Sequence, residues 1–150
     1  MKLPTGITGF TDAASNELPK TDGKPFKQLC FALSLRPSIQ FMSFTEPGLS
    51  SNHYCAEMNA GGDAVFILLN AHFPYLAFAS SCRSGSYEFI GCAGWEEVFS
   101  PSYHVLSTAE LNVPLDREQL NALQLNEAEW KQAAYWEPKT TGQLIFNHWD

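Results

Sequence analysis

Chain ends usually fray and carry polar, dispensable residues. This chain ends in Tyr135-Trp-Glu-Pro-Lys-Thr-Thr-Gly-Gln-Leu-Ile-Phe-Asn-His-Trp-Asp150, with two of its four tryptophans crowded against the terminus. Such an ending is built to be buried. It predicts a final helix that closes the core of one compact domain, and it carries no evident catalytic group. Leu144, Ile145, His148 and Trp149 recur at three- and four-residue spacing and share one helix face, with Phe146 on the other flank.

Upstream of this ending, the punctuation is helical. In a capping box, an N-cap side chain and a Glu or Gln three residues later satisfy each other's free backbone amides. Ser107–Glu110, Asp116–Gln119, Asn126–Glu129 and Thr140–Gln143 all fit, each opening an apolar-periodic stretch. The second and third also fit a hydrophobic staple, Leu115 on Leu120 and Leu125 on Trp130. Pro114 limits the first to one turn. The others predict short helices near 116–124, 126–136 and 140–149, the last two separated by Pro138.

The earlier residues speak for strands. Leu29, Phe31, Leu33 and Leu35 alternate with smaller residues and predict a strand with one apolar face. Strands at 39–44 and 54–58 follow, bounded by the Glu46-Pro47-Gly48 turn and by Gly61-Gly62-Asp63. Ala64 to Leu69 is a continuous apolar run, which suits a central strand covered on both faces, although a helix of that length fits too. Tyr75 to Ala79 and Tyr87 to Ile90 complete the sheet, with a turn from Ser80 to Ser86. Residues 1–25 read as an irregular leader pinned by Phe10 and Leu18. The expected fold is α+β: one domain over 1–150, an antiparallel or mixed sheet of about five to six strands, mainly within 26–100, then short helices over 107–150 packed on one face.

Charge bears on partners. Residues 1–75 hold six acids against five bases, and residues 76–150 hold ten against four, so the net charge of -7 resides mostly in the second half. An acidic surface disfavours nucleic acid and steers basic proteins. Acidic solvation of an ordinary surface is the plainer account. Cys30, Cys55, Cys82 and Cys92 make no CxxC and are too few for a disulfide framework. The start, MKLPTGITGF, lacks a signal-peptide core, and Asn70, His72 and Pro74 break the most apolar run. A cytoplasmic protein with reduced thiols, no membrane span and no cofactor or metal is the expectation.

The local constellations are weak. Cys30 to Arg36 has the C-x5-R spacing of a phosphatase loop, but the alternation between them reads as a strand that keeps the two apart. His53-Tyr54-Cys55 puts a His and a Cys on one side of a strand, the start of a thiol–imidazole pair or half a metal site, with no diagnostic spacing to His72, Cys82, Cys92 or His104. Ser84-Gly85-Ser86 lacks the flanking glycines of a nucleophile elbow. Trp95 beside Glu96 and Glu97, after Gly91 and Gly94, reads as a loop that can grip a basic protein patch, or as a buried Trp with two solvated acids.

The C-terminal third also carries a likeness. Asn126-Glu-Ala-Glu-Trp130, Tyr135-Trp136 with Pro138-Lys139-Thr140, and Gly142 with Ile145-Phe146-Asn147 and Trp149-Asp150 resemble the C-terminal signature of small bacterial immunity proteins from polymorphic-toxin and contact-dependent systems. Val65 to Asn70 and Phe73 to Phe78 are reminiscent of the same group. The resemblance implies a non-enzymatic role, binding a cognate toxin domain and blocking its active site. It transfers no catalytic, cofactor or metal residues. Its matching residues read as structural, so it does not locate the contact surface. That surface is expected among Trp95, Glu96, Glu97, Tyr103, Asp116 and Glu118, facing a basic toxin domain such as a nuclease. Two rivals remain open: a thiol hydrolase using a cysteine with His53 or His104, and a structural adaptor subunit.

Overall fold

The structure, a computed structural model, describes residues 3–11, 18–48, 51–83 and 86–149. Its first element corrects the strand expected over Leu29–Leu35. Residues Gly23–Leu33 form a helix, α1, capped by Asp22, whose side chain accepts from the Lys24 amide. Pro25 fits this first turn because no intrahelical donor is needed there. Phe26, Cys30 and Leu33 recur at helical spacing and are buried. Two of the alternating residues instead face outward, Phe31 at 46% exposure and Leu35 at 86%. The leader, expected over residues 1–25, therefore gives way to helix at Gly23.

Five strands follow in meander order, each antiparallel to the next: β1 (Ile39–Thr45), β2 (His53–Ala60), β3 (Asp63–Asn70), β4 (Tyr75–Arg83) and β5 (Ser86–Ile90). The β2–β3 hairpin turns on Gly61 (φ +61°) and Gly62 (φ +97°), the doubled positive φ that a two-residue turn of matching twist requires. Ala64–Leu69 lies in the central strand β3, buried from Ile67 onward. The turn expected over 80–86 is shorter, since β4 runs to Arg83; residues 84–85 lie outside the described residues.

A helix also replaces the loop expected at Trp95: α2 spans Ala93–Phe99. A short strand, β6 (His104–Val105), then pairs parallel to the start of β4 and makes the sheet mixed. The C-terminal helices fall where the capping signals put them: α3 (Thr108–Leu111), α4 (Arg117–Ala122), α5 (Glu127–Trp136) and α6 (Thr141–Ile145). Three capping boxes are complete, at Ser107, Asp116 and Asn126. The fourth is half made. Thr140 accepts from the Gln143 amide, but the Gln143 side chain accepts from Lys139 N rather than from its own cap. The last helix stops at Ile145, and Phe146 to Trp149 continue as non-helical chain, buried except for the half-buried His148.

Side-chain alternation sorts the sheet into two covered faces. Met58, Ile67, Leu69, Leu76 and Phe78 point towards α1 and α2, where Phe26, Cys30, Leu33 and Phe99 meet them. Leu68, Ala77, Ala79 and Phe89 point the other way, onto Ile7 of the leader and onto Leu111, Ala133, Leu144, Ile145, Phe146 and Trp149. The C-terminal helices thus cover one face as expected, and the two helices missing from the sequence reading cover the other.

The sheet is also strongly curled. β4 pairs with β3 only from Leu76 to Ala79; past a bulge between Ala79 and Ser81 it pairs with β5 alone. Bulges bend strands and increase twist. The β4–β5 hairpin folds across the concave face far enough for Tyr87 on β5 to hydrogen-bond His53 on β2. Gly142 in α6 fits beneath this hairpin. A Cβ there would lie 2.4 Å from Phe89 Cε2 and 3.1 Å from the Leu111 carbonyl. Gly142→Ala is expected to destabilise the fold by about 1–3 kcal/mol through overpacking, read as a lowered denaturant midpoint with an unchanged slope.

Candidate functional site

The concave face holds a hub of buried amides. Asn52, just before β2, donates its two Nδ2 hydrogens to the carbonyls of Ile7 (3.1 Å) and Ile145 (2.8 Å). Asn70, ending β3, donates to the same two carbonyls at 2.8 and 2.9 Å. The Asn52 Oδ1 accepts from the Asn147 amide and from His53 Nδ1, both at 2.9 Å. Asn147 Nδ2 in turn donates to Thr8 O and Leu144 O. Every polar valence of the Asn52 side chain is used, so Asn52 serves as a joint between the leader, β2 and the C-terminal segment.

Next to the hub lies the pair singled out in sequence, His53 and Cys55. With Nδ1 donating to Asn52, His53 Nε2 accepts from the Tyr87 hydroxyl at 2.7 Å. The His148 ring stands 5.0 Å from the His53 ring. Burial, and secondarily the proximity of His148, push the His53 pKa down to about 3, so the ring is neutral. Burial first, then the neighbouring Cys82 and Glu57, push the Cys55 thiol up to about 12. Cys30 is likewise pushed up to about 12, chiefly by burial in α1. A thiol nucleophile needs the opposite shift. Arg36 is also far from phosphatase duty: its Nη1 donates to the Gly94 carbonyl at 2.9 Å and joins α1 to α2. His104 is exposed at the parallel β6 edge, 3.9 Å from Glu110. Among the described residues no group of three or more His, Cys, Asp or Glu could hold a metal ion.

The six residues expected to contact a partner fall on two faces. Trp95, Glu96, Glu97 and Tyr103 belong to α2 and the turn after it. Trp95 is half-buried and edge-on to Phe78 at 6.3 Å, and Tyr103 is half-buried and edge-on to Phe26 at 6.2 Å. Glu97 is exposed and Glu96 half-exposed; on the same side of the sheet Lys24 and Lys27 of α1, Arg36 beyond it, and Asp22 and Glu46 are exposed as well. Asp116 and Glu118 lie across the sheet at the start of α4. Asp116 is occupied as the helix cap, accepting from Gln119 N at 2.8 Å, and Glu118 is exposed.

Two exposed aromatics were not expected. Tyr135 is 77% exposed and Trp136 39%, at the end of α5, although the ending as a whole reads as buried. From Pro138 on, the expectation holds better: Thr141, Gly142 and Leu144 to Asn147 are buried, and Trp149 packs on Phe10. The sequence signal for the exception is the placement of Tyr135 and Trp136 before Pro138, outside the final apolar cluster. The chain matches no family model, no curated protein and no solved structure.

Two measurements probe this geometry. Asn52→Ala leaves the Ile7 and Ile145 carbonyls each one donor short, and orphans the Asn147 amide; a loss of about 2–4 kcal/mol is expected in urea unfolding. His53 adds a pH signature. Its folded pKa of about 3 lies below the unfolded value of 6.5, so its contribution is intact above pH 6.5 and is lost as pH falls towards 3. The stability gap between wild type and His53→Gln should therefore narrow by about 2–3 kcal/mol between pH 7 and about 4.5. A constant gap would show that the ring takes up its proton while folded.

Proposed function

We propose that this protein is an immunity-type inhibitor that sequesters a cognate toxin domain by stoichiometric contact and has no catalytic role of its own. The observation that carries the reading is where the acid excess of the second half sits. Among the described side chains from residue 76 onward, Glu88, Glu97, Asp116, Glu118, Glu127 and Glu137 are exposed and Glu96 and Glu110 are half-exposed; only Glu129 is buried. The described bases of that stretch are Arg117, Lys131 and Lys139. Eight displayed carboxylates against three displayed bases, an excess of five, raise the encounter rate with a basic domain and can occupy a cleft that binds phosphate. The C-terminal resemblance supports the same role. Its Gly142, Ile145, Phe146, Asn147 and Trp149 are buried, as residues that maintain a fold should be. Among the described residues no helix is long and apolar enough to cross a membrane.

On this reading a neighbouring gene encodes a toxin domain; co-expression of the two should restore growth to cells that the toxin alone arrests, and the purified pair should elute as a single complex on size exclusion. Association should slow as salt is raised from about 50 to about 500 mM, since exposed charges are screened beyond a few ångström at the higher value. No rescue together with no complex would end the inhibitor reading.

A further inference from the structure

Past the bulge between Ala79 and Ser81, the outer β4–β5 hairpin has no strand partner but itself: Ser81, Cys82 and Arg83 pair with Glu88, Tyr87 and Ser86. Among the described residues, the side-chain hydrogen bonds that tie this ribbon to the rest of the fold all run through Tyr87. An isolated two-stranded ribbon is barely stable in water, so its place over the concave face depends on what Tyr87 holds. We propose that Tyr87 latches the outer hairpin shut through the His53–Tyr87–His148 chain, and that a proton on His53 undoes the latch, so that acid swings the hairpin open on the Ala79–Ser81 bulge while β1 to β3 stay folded.

The order of hydrogens along the chain is fixed from the hub outward. Asn52 commits both Nδ2 hydrogens to carbonyls, so its Oδ1 faces His53 as an acceptor and His53 Nδ1 donates to it at 2.9 Å. A neutral imidazole carries one N–H, so His53 Nε2 accepts, and the Tyr87 hydroxyl gives its hydrogen there at 2.7 Å. The hydroxyl oxygen is left to accept from His148 Nε2, 3.4 Å away. A proton on His53 reverses the later links. Its Nε2 becomes a donor, the Tyr87 hydrogen has to turn towards His148 Nε2, and that nitrogen already carries one. The two imidazole rings stand 5.0 Å apart, so charge on both adds repulsion.

Burial, and secondarily His148, hold the closed-state pKa of His53 at about 3, below the ordinary 6.5. Once the hairpin swings away, water reaches the ring and its affinity for the proton rises towards the ordinary value. The open form therefore gains on the closed one by about tenfold per pH unit between about 6 and about 3. The neighbouring groups add no charge in acid. Burial first, then Cys55 and Cys82, raise the Tyr87 pKa, and Cys55 is pushed up to about 12. Cys82, opposite Tyr87, is a thiol and takes no charge from acid. The Glu57 carboxylate bears on Cys55 rather than on His53. The hub itself is indifferent to the proton: the Asn52 and Asn70 bonds to Ile7 and Ile145 involve no titrating group, and His53 Nδ1 donates to Asn52 in either state. Phe89, opposite Ala79 at the hinge and buried against Phe146, is the pivot.

Residue-resolved hydrogen exchange between pH 7 and about 4.5 tests the latch, each rate being referred to that of an unstructured chain at the same pH. The slowest amides of residues 86–88 should lose protection by about 50- to 100-fold over this range. At every pH they should stay at least tenfold less protected than the slowest amides of β2 and β3, and they should barely respond to dilute urea, as a local opening requires. Equal protection in the hairpin and in β2–β3, or an unchanged hairpin, overturns the proposal. His53→Gln, which retains a donor and an acceptor, should flatten the pH dependence of the hairpin, whereas His148→Gln should leave most of it. The reverse result assigns the proton to His148 and overturns it. Tyr87→Phe should raise hairpin opening at least tenfold already at pH 7; no increase shows that Tyr87 is not the latch. Imidazole nitrogen shifts of the wild-type protein at pH 7 decide the hydrogen order without any variant: His53 should carry its hydrogen on Nδ1 and His148 on Nε2, and the opposite tautomer at either ring overturns the proposal.

Discussion

Two backbone carbonyls, Ile7 O and Ile145 O, each accept hydrogens from two buried amides, Asn52 and Asn70. These bonds join segments that are distant in sequence. Ile7 belongs to the leader, Ile145 to the last helix, and the asparagines close the β2–β3 pair where His53 faces Asn70. A buried carbonyl without a donor costs about 1–3 kcal/mol, so neither the leader nor the ending can leave the sheet without a penalty. Apolar contacts alone are tolerant of sliding; the doubly accepted carbonyls fix the register of the leader and the last helix against the ends of β2 and β3.

Glu129 repeats this logic one layer out. It is fully buried, yet it receives the amides of Gly6, Thr8 and Asn126 and the Thr8 hydroxyl. A buried carboxyl without such donors would be strongly destabilising. Here the same side chain completes the α5 capping box and receives the leader turn, which is why an acid serves at a position that periodicity would give to an apolar residue. The leader is irregular in backbone but is held at Ile7, Thr8 and Gly6 by side chains from β2, β3, α5 and the C-terminal segment.

Much of this was legible in the sequence, and the failures have physical causes. The helix starts at Ser107, Asp116, Asn126 and Thr140 were readable because a cap is a local bond between residues three apart. The hairpin at Gly61-Gly62 and strands β1 to β5 were readable for similar reasons. The helix α1 was not. Leu29, Phe31, Leu33 and Leu35 alternate by chance, and two of them pack little, whereas the spacing that matters is Phe26, Cys30, Leu33 after the Asp22 cap. Trp95 lacked a readable cap: Cys92 precedes α2 without a side-chain hydrogen bond, so the glycines on either side read as loop. The asparagine hub was invisible because the bonds that tie it to the leader and the ending span 45 to 139 residues.

The two aromatics at the end of α5 show how a sequence can mislead about a surface while being right about a core. Tyr135 and Trp136 precede an ending that is in fact buried, and so inherit its reading. The backbone separates them from it. Glu137 turns left-handed and ends α5, Pro138 is buried, and the chain re-enters the core as α6. The helix is anchored upstream by Glu129 and Ala133 and downstream by Pro138, so its last turn can neither retract nor fray freely. Burying these rings would require moving one of those anchors, and the Glu129 anchor holds four hydrogen bonds. The exposure of Tyr135 and Trp136 therefore follows from constraints elsewhere in the fold. Rings that stay largely in water before and after folding add little to stability, so this corner can vary without disturbing the core that Glu129 and Pro138 hold.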